Sequence, residues 1–106
     1  MNTPPEPPDD GDLDIQVDGH ILHIRGEIDA HSAPALGEAV SAASGSVELD
    51  LSAVGFVDSS GLRVLIEMHQ MLDERGDVLT IANPTAPVQR MFELSAVDEY
   101  LNLVHR

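Results

Sequence analysis

The stretch VELDLSAVGFVDSSGLRVLIEMHQML, residues 47–72, decides the fold. In residues 47–51 the apolar Val47, Leu49 and Leu51 alternate with Glu48 and Asp50, the period of a strand with one face buried and the other in water. From Leu62 onward the period changes. Leu62, Leu65, Ile66, His69 and Leu72 fall on one stripe of a 3.6-residue helix. A strand therefore hands over to a helix. Between them stand Asp58, Ser59, Ser60 and Gly61, small or polar residues at the place where the first backbone N–H groups of a helix lack partners and point outward.

Downstream of this unit, Arg75-Gly76-Asp77 is a stop-and-turn signal and residues 78–82 read as a further strand, which Asn83-Pro84 breaks. Val88, Met91 and Phe92 then recur at helical spacing, so a helix is expected over residues 87–94, ending near Val97, with a short last strand over 100–104. Upstream, Ser32 is the expected N-cap of a helix with Pro34 in its first turn and Ser44-Gly45-Ser46 at its end. Residues 13–17 and 20–25 read as two strands joined by an Asp18-Gly19 hairpin turn. Residues 1–11, MNTPPEPPDDG, hold four prolines and three acids and almost nothing to bury, the composition of a disordered arm. The folded domain is accordingly expected over 12–106. Strands alternating with helices imply parallel neighbours, and the hairpin adds an antiparallel edge strand. The class is α/β, with a small mixed sheet of about four to five strands and about three helices.

A chain of 106 residues is long enough for one core without covalent staples, and with no cysteine it has none. Thiol catalysis and cysteine-rich zinc sites are excluded. No apolar run is long enough to span a membrane, and no basic start precedes an apolar stretch, so the expected location is the cytoplasm. The formal net charge is −14, and all five basic residues are arginines. Such a balance argues against nucleic acid or an anionic membrane surface as a partner. It favours a basic partner, or serves solubility alone.

Enzymatic readings find little support. Ser59 has Val57 two residues before it, not the glycine of a G-x-S-x-G elbow. His20 and His23, three apart on an expected strand, would point to opposite faces and make a poor shared metal site. His69 falls on the apolar stripe of the second helix, the place of a partly buried, hydrogen-bonded side chain. There is no G-x-G-x-x-G, and no lysine to reach a nucleotide phosphate. No catalytic, cofactor or metal residues are therefore assigned. What remains is a hydroxyl on a turn at the carboxyl end of a strand, where α/β sheets place functional groups. Two readings stay open on local chemistry. Asp58 or Ser59 could simply cap the helix, worth about 1 kcal/mol. Alternatively, phosphorylation of Ser59 would add roughly 1.5 to 2 negative charges beside Asp58, and a partner losing about 4 kcal/mol would bind about a thousandfold more weakly.

Three segments in order, residues 26–33 (GEIDAHSA), 47–51 (VELDL) and 56–62 (FVDSSGL), together resemble the STAS domain family, specifically the bacterial anti-anti-sigma factors, or anti-sigma factor antagonists. The resemblance covers about residues 12 to 104. It implies a non-enzymatic partner-switching protein, and since no long apolar stripe demands a permanent dimer, a monomer is expected when free. The unphosphorylated antagonist would bind an anti-sigma factor that is also a serine kinase, freeing a sigma factor for transcription. The kinase would phosphorylate Ser59, and a metal-dependent serine phosphatase would reset it. Asp29, Asp58, Ser60 and Gly61 lie at motif positions expected around the docking surface. The alternative within the family is a scaffold subunit of a stressosome-like or lipid-transport ATPase complex, with no phosphorylation cycle.

Two positions depart from the family's common pattern. Ile28 replaces leucine, a conservative change, and Arg63 stands where many members have glycine. Arg63 could pair with Glu67 along the helix or touch the partner or the phosphate. Val64, Met68 and Met71 form a second apolar stripe on the same helix, expected to be secondary core, with a docking patch as the other possibility.

Overall fold

The computed structural model describes residues 13–106, so the expected arm over 1–11 lies outside the described residues. Five strands and three helices follow in the order β1 (Asp14–Asp18), β2 (Ile21–Ile28), α1 (Ala33–Ala42), β3 (Val47–Val57), α2 (Ser59–Glu74), β4 (Leu79–Ala82), α3 (Ala86–Leu94) and β5 (Asn102–Val104). The strands form one sheet in chain order, β1-β2-β3-β4-β5. Only the β1–β2 pair is antiparallel, placing the hairpin strand at an edge as the sequence leads one to expect. Asp18 pairs with Ile21, so the two loop residues are Gly19 and His20, not Asp18 and Gly19. Gly19 takes the positive φ, +61°, that such a turn requires. His20 thus leaves the strand, and only His23 remains on the sheet, with its Nδ1 2.8 Å from Asp50 Oδ2.

The largest difference from the sequence reading is the length of β3. Alternation ends at Leu51, yet the strand runs eleven residues to Val57. The register against β2 slips twice: His23 faces Asp50 while Arg25 faces Ala53, and Gly26 faces Val54 while Glu27 faces Phe56. Each slip puts an extra residue into β3, a β-bulge, and bulges break period two. The buried positions consequently become Leu51, Val54 and Val57, three apart. Thr85, just ahead of α3, donates its hydroxyl to the Val54 carbonyl at 2.7 Å, satisfying a backbone group within the bulged segment.

Leu22, Ile24 and Ile28 of β2, Leu49 and Leu51 of β3, and Ile81 of β4 pack with Leu36 and Val40 of α1, Leu65 and Leu72 of α2, and Val88 and Phe92 of α3 in one core. The second stripe of α2 belongs to this packing. Val64, Met68 and Met71 lie partly buried against the core. A Cβ built on Gly37 of α1 would stand 3.8 Å from Val64 Cγ1, so α1 and α2 meet closely there. Beyond α2, Gly76 adopts φ +82°, and Arg75 Nη2 reaches the carbonyls of Ala43 and Gly45 at 3.1 and 3.0 Å. These contacts close the far end of the unit.

Candidate functional site

Residues Ile28 of β2 and Val57 of β3 are paired, so the two parallel strands finish side by side. Each is followed by an aspartate. Asp29 precedes α1 and Asp58 precedes α2, and the Asp58 N–H donates to the Ile28 carbonyl at 3.0 Å, which ties the two strand ends together.

At the second junction Asp58 is the N-cap, in extended backbone, and its Oδ1 accepts from the Gly61 N–H at 2.9 Å. The helix therefore begins at Ser59, three residues earlier than the apolar stripe indicates, because the aspartate and not a serine satisfies the free N–H. Ser59 is exposed and Ser60 half-buried, and neither hydroxyl takes a hydrogen bond among the described residues. Of the two local readings, capping belongs to Asp58 and the Ser59 hydroxyl is left over. Gly61 is buried against β2. A Cβ there would fall 2.7 Å from Ile28 Cγ2 and 2.9 Å from the Ile28 carbonyl carbon, and closer still to its oxygen. The glycine is thus what lets α2 start directly on the strand end.

At the first junction the same ingredients are arranged differently. Asp29 Oδ1 accepts from the N–H groups of His31 and Ser32 at 3.0 and 2.9 Å, and lies 3.1 Å from the Ser32 hydroxyl. That hydroxyl donates to the Glu27 carbonyl at 2.7 Å and accepts from the Asp29 N–H at 3.0 Å. Ser32, expected as an ordinary N-cap, makes no side-chain cap bond. It is instead 2% exposed and fills the turn itself. The Ser32 N–H above all, with the Ser32 hydroxyl and the His31 N–H, holds the Asp29 carboxyl below its ordinary value of 3.8, against a smaller opposing effect of burial. Asp29, a candidate docking residue by motif, has its Oδ1 engaged within its own turn.

Arg63 is exposed, and among the described residues it makes no ion pair, so the expected pairing with Glu67 is not seen. Ser59, Arg63, Glu67 and Gln70 form one exposed stripe of α2. Sequence reasoning assigned no role to Phe56, which faces Glu27 across the strands and is 48% exposed two residues before Asp58. Its signal is an aromatic placed off the 51, 54, 57 core positions, readable only once the bulges are known. His69, expected to be hydrogen-bonded, packs its ring 4.7 Å from that of Tyr100, while its Nδ1 is buried with no partner. On the sheet, burial works to raise the Asp50 carboxyl, but the Ser52 N–H and the His23 imidazole outweigh it and hold it low. Among the described residues, no three His, Asp or Glu side chains gather so as to hold a metal ion, and no helix is long and apolar enough to cross a membrane.

Comparison with known proteins places these features in a wider group. The chain is 29% identical over 93 residues to the anti-sigma-B factor antagonist of Bacillus subtilis, covering 85% of this chain and 81% of that protein. Among solved structures it resembles an anti-sigma factor antagonist from Mycobacterium paratuberculosis, with 26% identity, a TM-score of 0.70, and coverage of 86% of this chain and 82% of that one. The fold is also that of the antagonist SpoIIAA in its unphosphorylated form, with a TM-score of 0.71 at 20% identity over 89% of this chain and 87% of that one. SpoIIAA of Bacillus in its phosphorylated form gives a TM-score of 0.65 at 19% identity over 89% and 90%. The family model described as "Mlab, STAS domain" matches residues 12–105, and with the strand-ordered sheet and paired Asp-headed junctions already in view, this chain belongs to the STAS domain family.

Proposed function

We propose that the protein is a non-enzymatic anti-sigma factor antagonist of the cytoplasm, switched by phosphorylation of Ser59. One observation carries the reading. Ser59 is the first residue of α2, exposed, with a hydroxyl that the fold does not use. The names of the relatives and the motif resemblance support the choice of partner, an anti-sigma factor with serine kinase activity. In its unmodified form the antagonist docks that partner over the two strand ends, with Phe56, Asp58, Ser59, Ser60 and Arg63 facing it and Asp29 and Gly61 holding the backbone beneath. The exposed aromatic supplies apolar area at the centre of this patch.

The partner brings the ATP. The Ser59 Oγ loses its proton as it forms a bond to the γ-phosphorus, and the bond from that phosphorus to the bridging oxygen of ADP breaks. The product carries roughly 1.5 to 2 added negative charges at a surface that had fitted a neutral hydroxyl beside Asp58. Release follows from desolvation and repulsion at the partner's surface, not from unfolding, because Ser59 holds nothing together. A metal-dependent serine phosphatase hydrolyses the ester and restores the hydroxyl.

The test is to incubate the protein with the anti-sigma factor kinase and ATP and to map the product by mass spectrometry. A single phosphate on Ser59 is expected, and labelling elsewhere with Ser59 untouched would sink the assignment. Ser59→Asp is expected to fold normally and bind the kinase about a thousandfold more weakly, equivalent to about 4 kcal/mol. Ser59→Ala is expected to bind and stay bound in the presence of ATP. Equal affinity of both variants, with no phosphate on the protein in cells, would point instead to a scaffold subunit.

A further inference from the structure

We propose that Arg63 is the intramolecular counter-cation of phosphorylated Ser59, folding back along α2 to pair with the phosphate. The inference deepens the reading of Ser59 as phosphoacceptor and rests on it. Ser59 and Arg63 stand four residues apart in a helix that begins at Ser59, both exposed, on the same stripe. Side chains at that spacing are neighbours, and the favourable order places the acid N-terminal to the base. Glu67, four residues beyond Arg63, offers the weaker order. Among the described residues Arg63 makes no ion pair with it or with any other acid. Asp58, the other acid adjoining Ser59, has its Oδ1 committed to the Gly61 N–H.

Before modification, then, the one cation on this stripe has no acid upstream of it to pair with. Phosphorylation creates that acid, with about two charges and three acceptor oxygens where Glu67 offers one charge. The planar guanidinium fork matches two phosphate oxygens at once. The modification accordingly changes two things that a partner meets. A neutral hydroxyl becomes an anion, and a cation that stood free to meet an acidic group on the partner is drawn away to that anion.

The experiment installs phosphoserine at position 59 of the full chain by genetic encoding, without any kinase, and follows its second ionisation by phosphorus-31 NMR. That ionisation ordinarily falls near pH ~6. The expected midpoint for the wild-type sequence lies about 0.3 pH unit below that of the Arg63→Gln variant. Arg63→Lys is expected to keep part of the shift, and added salt should shrink it. Midpoints for wild type and Arg63→Gln that agree to within about 0.1 pH unit would overturn the proposal, whatever their distance from a free phosphoserine. Because no kinase is used, failure of Ser59 to be labelled by the anti-sigma factor is a separate result and cannot be mistaken for this one.

Discussion

The two strand-to-helix junctions of this domain are built from nearly the same residues and do opposite things with them. Both follow strands that end on a paired residue, Ile28 or Val57, and both continue with an aspartate and then a serine within three residues. At the first, the serine is buried, and its hydroxyl is shared between the Glu27 carbonyl and the Asp29 N–H. At the second, the aspartate alone caps the helix and the serine hydroxyl faces water unused. A serine consumed by its own turn cannot be modified without dismantling that turn. The one that the fold leaves idle can change its charge while the fold stays put.

The contrast can be broken most severely at Gly61. Gly61→Ala would push a methyl group into the Ile28 backbone, and a loss of about 3 kcal/mol is expected in urea unfolding. A value under about 1 kcal/mol would mean that α2 can shift off the strand end at little cost. Next comes Ser32→Ala, which removes the acceptor of the Asp29 N–H and a donor to the Glu27 carbonyl inside a buried turn. About 2 kcal/mol should be lost, against less than about 0.5 kcal/mol for Ser59→Ala, so comparable losses for the two serines would remove the distinction drawn between them. Asp58→Ala deletes the cap of α2 and is expected to cost about 1 kcal/mol, read from the same curves. The smallest effect is a pH dependence. Asp29 titrates below 3.8 in the folded protein, so its contribution is fully present above that pH and is lost as pH falls through the lowered value. Asp29→Asn should therefore flatten the fall in urea midpoint as the pH drops below 3.8. An unchanged slope would assign the acid sensitivity elsewhere, with Asp50, also held low, the next group to replace.

How far the sequence could be read depends on whether a signal is local. The alternation of residues 47–51, the helical stripe from Leu62, and the glycine-bearing hairpin each depend on neighbours in the chain, and each appears in the structure. The second half of β3 does not advertise itself, because its two extra residues have meaning only opposite β2. Ser32 departs from a local reading for a related reason: it stands at the cap position, but its hydroxyl is captured by a carbonyl five residues back. Asp58-Ser59-Ser60-Gly61 is legible in the sequence as the turn between a strand and a helix, while the division of labour within it is not. That the aspartate caps, the first serine is spare and the glycine admits a neighbouring backbone follows only from having Ile28 in place. The exposure of Phe56 is not legible in the sequence, because an aromatic beside bulges has no period to betray which way it faces.

The sheet is assembled in the order in which the chain is written, each strand beside the one before it. For a chain emerging from a ribosome, every new strand finds its neighbour already made, and no strand has to be threaded between two others. Contacts close in sequence favour rapid folding with little time spent as exposed edges. The Ser59 junction draws its contacts from β2, β3 and α2 alone: the Asp58 N–H on the Ile28 carbonyl, the Gly61 N–H on Asp58, and Gly61 against Ile28. That junction can therefore form as soon as these three neighbouring elements meet, without waiting for α3 or β5 to dock.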